Sequence, residues 1–177
     1  ILVGGFAANN PDAGPRTFPL FDYMVINEAD DTVGPLVEKL VAGERPKDQP
    51  GIIAKTDTPD RIFTPAPLPQ NIDRFDMPDY SWTNLNNYRS FNGYIKVPII
   101  SSRGCKWSQC TFCSERFPWR IRTASKVADE MQWYYARGFR NFMFQESDFN
   151  GKPEVIKELS KEIIKRGMDL DLMGQNR

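Results

Sequence analysis

The chain has 177 residues, 40% of them apolar, with 23 basic and 23 acidic side chains, three cysteines and no histidine. That length suits one medium domain or parts of two, and the balanced charge gives no bulk signal for a nucleic-acid or membrane partner. No apolar run approaches the roughly 20 residues that span a bilayer and no signal peptide is visible; three closely spaced cysteines make a poor disulfide framework, so a reducing, cytoplasmic setting is expected.

The chain opens at Ile1 inside an apolar run and is read as a piece of a longer protein. ILVGG (1–5) reads as a buried strand ending in a glycine pair, and FDYMVIN (21–27) as a second strand. A helix follows. Val33, Leu36, Val37, Leu40 and Val41 share one face, with Asp30 or Asp31 as cap and Gly43 as stop. Strand, strand, helix suits the last part of an open α/β sheet. Seven of the 14 prolines then lie between Pro46 and Pro78, which rules out long regular elements there. GIIAK (51–55) reads as a short strand. The aromatic-rich loop 72–88 is expected to pack on something, and 46–93 reads as an ordered connector.

From Tyr94 the pattern is regular. YIKVPIIS (94–101) reads as a strand, followed by RGCKWSQCTFC (103–113), which holds every cysteine of the chain. Residues 123–138 read as a helix with Val127, Met131 and Tyr134 or Tyr135 on one face. Residues 140–147 read as a strand, and 152–167 as a helix with Pro153 in its first turn and Val155, Ile156, Leu159 and Ile163 inward. Residues 168–174 read as a third strand. This is the βαβ rhythm of a parallel sheet, whose ligands gather beyond the C-terminal strand ends. The cysteine loop, Glu146 and Arg177 all fall at such ends.

Cys105, Cys110 and Cys113 are separated by four and then two residues. They can be small buried hydrophobes, a zinc site lacking its fourth ligand in this chain, a redox pair of Cys110 and Cys113, or thiolate ligands of a 4Fe–4S cluster with one iron left open. Trp107, Trp119 and the 117–119 run can shield the loop or belong to the core.

The stretch resembles the cluster loop of radical S-adenosylmethionine enzymes. There, three cysteines hold the cluster, and the open iron chelates the amino and carboxylate groups of S-adenosylmethionine. The commonest family spacing has three residues between the first two cysteines; four here lengthen the loop without changing the ligand count. Arg103 and Gly104 match the family's approach to the loop, and Phe112 the aromatic that lies near the adenine. The resemblance implies one-electron reductive cleavage to methionine and a 5′-deoxyadenosyl radical, fed by a reductant protein such as flavodoxin or ferredoxin. FMFQESDF (142–149) resembles a strand end of the cobalamin-linked subgroup that reads Phe-x-acid-acid-x-Phe. Glu146 falls on the first acid, where it suits the methionine ammonium; Ser147 falls on the second, and Asp148 is a weaker candidate. Arg177 stands where the subgroup often carries an arginine.

The resemblance extends backwards. ILVGG and FDYMVINEADDT are similar to late strands of the subgroup's cobalamin-binding domain, with Asn27, Glu28, Ala29 and Asp30 where Gly-Glu-Gly-acid is usual. Gly4 and Gly5 would let the backbone approach a cobalamin tail. DRFDMPDY (73–80) is similar to the subgroup's Pro-x-Pro-Asp-Tyr connector. The implied architecture is α/β: the end of a Rossmann-like open sheet (1–45), a proline-rich connector (46–93), and the first part of a parallel (β/α) radical S-adenosylmethionine partial barrel (94–177). The expected activity is radical chemistry begun by a 4Fe–4S cluster and S-adenosylmethionine, with cobalamin-dependent methyl transfer to an unactivated carbon as one outcome. A cobalamin-free radical enzyme making rings or methylthiolating, and a non-catalytic metal-stabilised module, stay open. The substrate is not legible.

Overall fold

The computed structural model describes residues 1–4, 20–47, 49–57, 64–113, 115 and 117–175. The chain divides into two compact units, Ile1–Pro69 and Gln70–Arg177. Among the described residues the strands form two three-stranded sheets, one in each unit, and a two-stranded ladder.

In the first unit β1 (Leu2–Val3) runs parallel to β2 (Tyr23–Val25), and β3 (Ile52–Ala54) lies antiparallel on the other side of β2. Every side chain of β2 is buried, as expected of a strand covered on both faces. Helix α1 (Val33–Val41) buries Leu36 completely and packs Val33 and Leu40 against the same cluster. The predicted stripe is wider than the observed one. At 100° per residue Val37 and Val41 sit to one side of the Val33–Leu36–Leu40 seam, and they are 39% and 83% exposed. The expected aspartate cap is also replaced. The N–H groups of Thr32 and Val33 both donate to Ala29 O (3.0 and 2.9 Å), so a turn leads into the helix and Thr32 occupies the cap position without a side-chain cap.

In the second unit β4 (Lys96–Ile99) pairs parallel with β7 (Asn141–Phe144), and β7 with β8 (Asp171–Met173). The connections are α2 (Ala124–Tyr135) and α3 (Pro153–Lys165). Strand alternation sends Val97, Ile99, Phe142 and Phe144 to one side. There they meet Val127, Met131 and Tyr134 of α2 and Leu159 of α3 in one core. Tyr134, 1% exposed, is the buried member of the tyrosine pair, and Tyr135 packs at the margin. Leu172 and Met173 on the edge strand β8 are nearly half exposed.

The expected connector is divided between the units. Ile52–Ala54 completes the first sheet. Residues 72–80 are fastened to α2 of the second unit. The Asp73 carboxylate accepts the Thr123 N–H (2.9 and 3.1 Å), capping the helix from fifty positions away. Tyr134 Oη donates to Pro78 O at 2.8 Å, and its ring lies 5.9 Å from that of Tyr80. The packing expected of the aromatic loop is thus supplied by Tyr80, whereas Trp82 and Tyr88 are exposed. Among the described residues no helix is long and apolar enough to cross a membrane.

Phe144→Ala should cost about 3–5 kcal/mol through lost contacts and the cavity left behind. Trp82→Ala should change stability by no more than about 0.5 kcal/mol. Denaturant unfolding of the two variants beside the wild type checks the contrast.

Candidate functional site

The cysteine loop is closed at its base by a feature too short to be read from sequence. β5 (Ser102–Arg103) and β6 (Arg120–Ile121) pair antiparallel, and the Arg122 N–H extends the ladder to Ser101 O at 2.8 Å. Gly104 follows β5 with φ +77°, and a Cβ there would lie 2.5 Å from the carbonyl oxygens of Phe117 and Pro118. The two arms of the loop therefore cross at a point where only glycine fits.

None of the three cysteines is in a disulfide, and all are half-buried. Ser108, in the left-handed region at φ +49°, turns the chain within the longer spacer, and its N–H lies 3.4 Å from Cys105 Sγ. The Glu115 N–H lies 3.5 Å from Cys113 Sγ, and Cys113 N–H donates to Cys110 O at 3.2 Å. Backbone N–H groups aimed at sulfur stabilise thiolates and tune a cluster held by them. Among the described residues no three His, Cys, Asp or Glu side chains converge on a point that would hold a single metal ion. A cubane offers its irons at separate corners and does not ask for that convergence. Three thiols with N–H groups on two of them fit an iron–sulfur cluster, and are one ligand short of an ordinary structural zinc set.

The register of β4 with β7 brings Ser101 and Glu146 past the same sheet end. Glu146 is 5% exposed and Ser101 4%. The Ser101 hydroxyl donates to Glu146 Oε1, and its N–H lies 3.5 Å from Oε2. Burial raises the Glu146 carboxyl above the usual carboxylate range, while these hydrogen bonds oppose the rise. A solvated strand-end acid is thereby excluded.

The neighbouring candidates have other surroundings. The Ser147 hydroxyl bonds to the Glu115 carboxylate, tying the end of β7 to the cysteine loop. Lys106 Nζ donates to Gly151 O at 2.6 Å, and Trp119 lies against Gly151, where a Cβ would come within 3.1 Å of the indole. Trp119 thus packs between the two loops, whereas Trp107 is 43% exposed. Asp148 is half-buried, and its carbonyl accepts the Gly151 N–H. The Phe112 ring is 92% exposed and does no core packing. The Arg103 guanidinium lies 5.3 Å over the Phe75 ring. In the first unit, a Cβ on Gly4 would make ordinary 3.5–3.6 Å contacts with Val25, so packing alone does not require glycine there. Asn27, which stands where the domain it resembles has glycine, has φ +69°, a conformation that asparagine tolerates better than most other side chains. Gly5 and Arg177 lie outside the described residues.

Sequence reasoning missed Ser101, Lys106 and Glu115. Ser101 had a legible signal, since it stands two residues past β4 as Glu146 stands two past β7.

The fold is that of cobalamin-linked radical S-adenosylmethionine enzymes of known structure. The chain superposes on the cobalamin-dependent S-adenosylmethionine radical enzyme OxsB with a TM-score of 0.74 and 19% identity, over 100% of this chain and 26% of that one. On the radical S-adenosylmethionine methyltransferase TsrM from Kitasatospora setae, with tryptophan substrate and aza-SAM bound, the score is 0.69 at 23% identity, over 93% and 33% of the two chains. TsrM with cobalamin and a [4Fe-4S] cluster bound gives 0.62 at 20% identity. In sequence the chain is 26% identical over 163 residues to the anaerobic magnesium-protoporphyrin IX monomethyl ester cyclase of Synechocystis sp. (strain ATCC 27184 / PCC 6803 / Kazusa), spanning 90% of this chain and 32% of that enzyme. The chain therefore covers about a third of the length of this curated relative. No family model matches the chain.

Two substitutions test the site. Gly104→Ala should disorganise the thiol loop, read as lost iron uptake in anaerobic reconstitution with the rest of the fold retained by circular dichroism. For Glu146 the sign follows from its raised pKa. The folded chain keeps this proton to higher pH than the unfolded chain, so the linked stability is present at low pH and lost as pH rises through the raised value. Glu146→Gln keeps an acceptor for Ser101 and escapes that loss. Its melting temperature relative to wild type should climb between acid and neutral pH; a constant difference would contradict the buried carboxyl.

Proposed function

We propose that this chain is part of a radical S-adenosylmethionine enzyme. The observation that carries the proposal is a three-thiol loop at the C-terminal end of β4, packed against the end of β7 that bears the buried Glu146 carboxylate. Cys105, Cys110 and Cys113 would hold a 4Fe–4S cluster, and Glu146 would accept a hydrogen bond from the amino group of the methionine moiety. A bound cluster with an open iron supplies the electron that cleaves the carbon–sulfur bond of S-adenosylmethionine. The chain's own part is to hold the thiols in a glycine-crossed loop, keep a carboxylate dry beside it, and cover one flank with Trp119. Phe112, exposed on that loop, is free to stack on an adenine.

The likeness to cobalamin enzymes supports a cobalamin site in the parent protein on the first unit, where Gly4 follows β1 and Asn27 follows β2. Methyl transfer to an unactivated carbon is the outcome we favour, because the superposed structures include a methyltransferase. Ring formation is the second reading, favoured by the relative that is a cyclase. Either chemistry needs a one-electron donor such as flavodoxin or ferredoxin and the reducing setting of the cytoplasm.

The test uses the full-length parent, reconstituted anaerobically with iron and sulfide, reduced, and examined by electron paramagnetic resonance. A reduced 4Fe–4S signal that changes on adding S-adenosylmethionine, and disappears when Cys105, Cys110 or Cys113 is replaced by alanine, is the expected result. Zinc bound in place of iron and sulfide would overturn the proposal.

A further inference from the structure

Glu115 belongs to no motif, yet its N–H, its carbonyl and one carboxylate oxygen are each engaged. Its N–H lies 3.5 Å from Cys113 Sγ. Its carbonyl accepts the Ser108 hydroxyl at 3.2 Å. Ser108 in turn directs its N–H at Cys105 Sγ, 3.4 Å away. The Glu115 carboxylate bonds to the Ser147 hydroxyl, and Ser147 is the residue after Glu146. One residue thus links two of the three thiols to each other and ties both to the strand end that carries the buried carboxylate. Lys106, on the opposite arm of the loop, makes the second tether to the same β7–α3 connection through Gly151 O.

We infer that Glu115 is a positioning residue, which through Ser147 fixes the cysteine loop relative to Glu146 and carries a carboxylate two residues beyond Cys113. The inference rests on the cluster assignment proposed above. Two consequences can be separated. The tether sets the distance between the open iron and Glu146, and so the affinity for a ligand that must reach both. The charge opposes adding an electron to the cluster, and so lowers its reduction potential. The hydrogen bond to Ser147 serves the first, and the carboxylate charge serves the second.

The experiment uses the reconstituted full-length protein as wild type, Glu115→Gln, Glu115→Ala, Ser147→Ala and Ser147→Thr. Iron and sulfide content, reduction potential, and the S-adenosylmethionine concentration that half-converts the resonance signal are measured for each. All variants should hold wild-type iron. Glu115→Ala and Ser147→Ala should need about tenfold more S-adenosylmethionine, the scale on which outer-shell partners of metal ligands act. Ser147→Thr, which keeps the hydroxyl, should restore the wild-type value. Both Glu115 variants should raise the potential, whereas Ser147→Ala, which keeps the charge, should not. A merely structural role would not produce that split. Full iron with unchanged half-conversion and potential in Glu115→Ala and Ser147→Ala would overturn the inference. So would equal loss of iron in Glu115→Gln, Glu115→Ala and Ser147→Ala. A wild-type protein that takes up no cluster would overturn the underlying proposal, and this inference with it.

Discussion

The parallel pairing of β4 with β7 is the constraint from which the site follows. Val97 stands beside Phe142 and Ile99 beside Phe144, and the ladder runs on through the Gln145 N–H to Ile99 O. Parallel strands finish at the same edge, so the two chains leave the sheet side by side. Ser101 is the junction there: its carbonyl receives the base of the cysteine loop through the Arg122 N–H, and its hydroxyl and N–H face Glu146. A slip of β7 by one residue would turn Phe142 and Phe144 to the opposite face and carry Glu146 with them. Hydrophobic burial and placement of the carboxylate are therefore one choice, made by the same pleat.

The return path of the loop is held by charge. Arg122 leads from β6 into α2, and its Nη1 lies 2.6 Å from Glu130 Oε2 and 2.9 Å from Ile100 O. Glu130 is 2% exposed. An ion pair this deeply buried gives up hydration that its Coulomb attraction only partly returns. What it provides is a fixed approach angle for α2, since leaving either charge alone there is costly. Asp73 adds the cap from the preceding segment, so the helix start is defined by three stretches of chain that are distant in sequence.

How much of this was legible depended on range. The strands and helices of the second unit were readable because their apolar periods are regular: Val127, Met131 and Tyr134 recur at helical spacing, and Leu159 sits centrally in the α3 face. The three thiols were readable because clustering without histidine leaves few chemistries, and Glu146 because of its place after an apolar strand. The β5–β6 pairing was not legible, since two residues carry no period. Nor was the Asp73 cap, whose partner is fifty positions away, nor the role of Glu115, which depends on where the loop folds back. In α1 the apolar spacing overstated the buried face, because periodicity reports which residues share a side and not how wide a neighbour covers them.

Gly104 and the spacer between Cys105 and Cys110 have opposite tolerances. At the glycine, carbonyl oxygens from the far arm occupy the space any side chain would need. Beyond Cys105 the backbone runs through Lys106, Trp107 and Gln109, all exposed, and turns at Ser108, whose N–H faces a thiol and whose hydroxyl donates to Glu115 O. An added residue in such a stretch is absorbed by solvent, because little buried backbone hydrogen bonding is disturbed. Over evolutionary time the loop should accordingly drift in length between its first two cysteines while its crossing point stays still. Spacing there is then a poor guide to kinship, and the glycine before the first cysteine a better one.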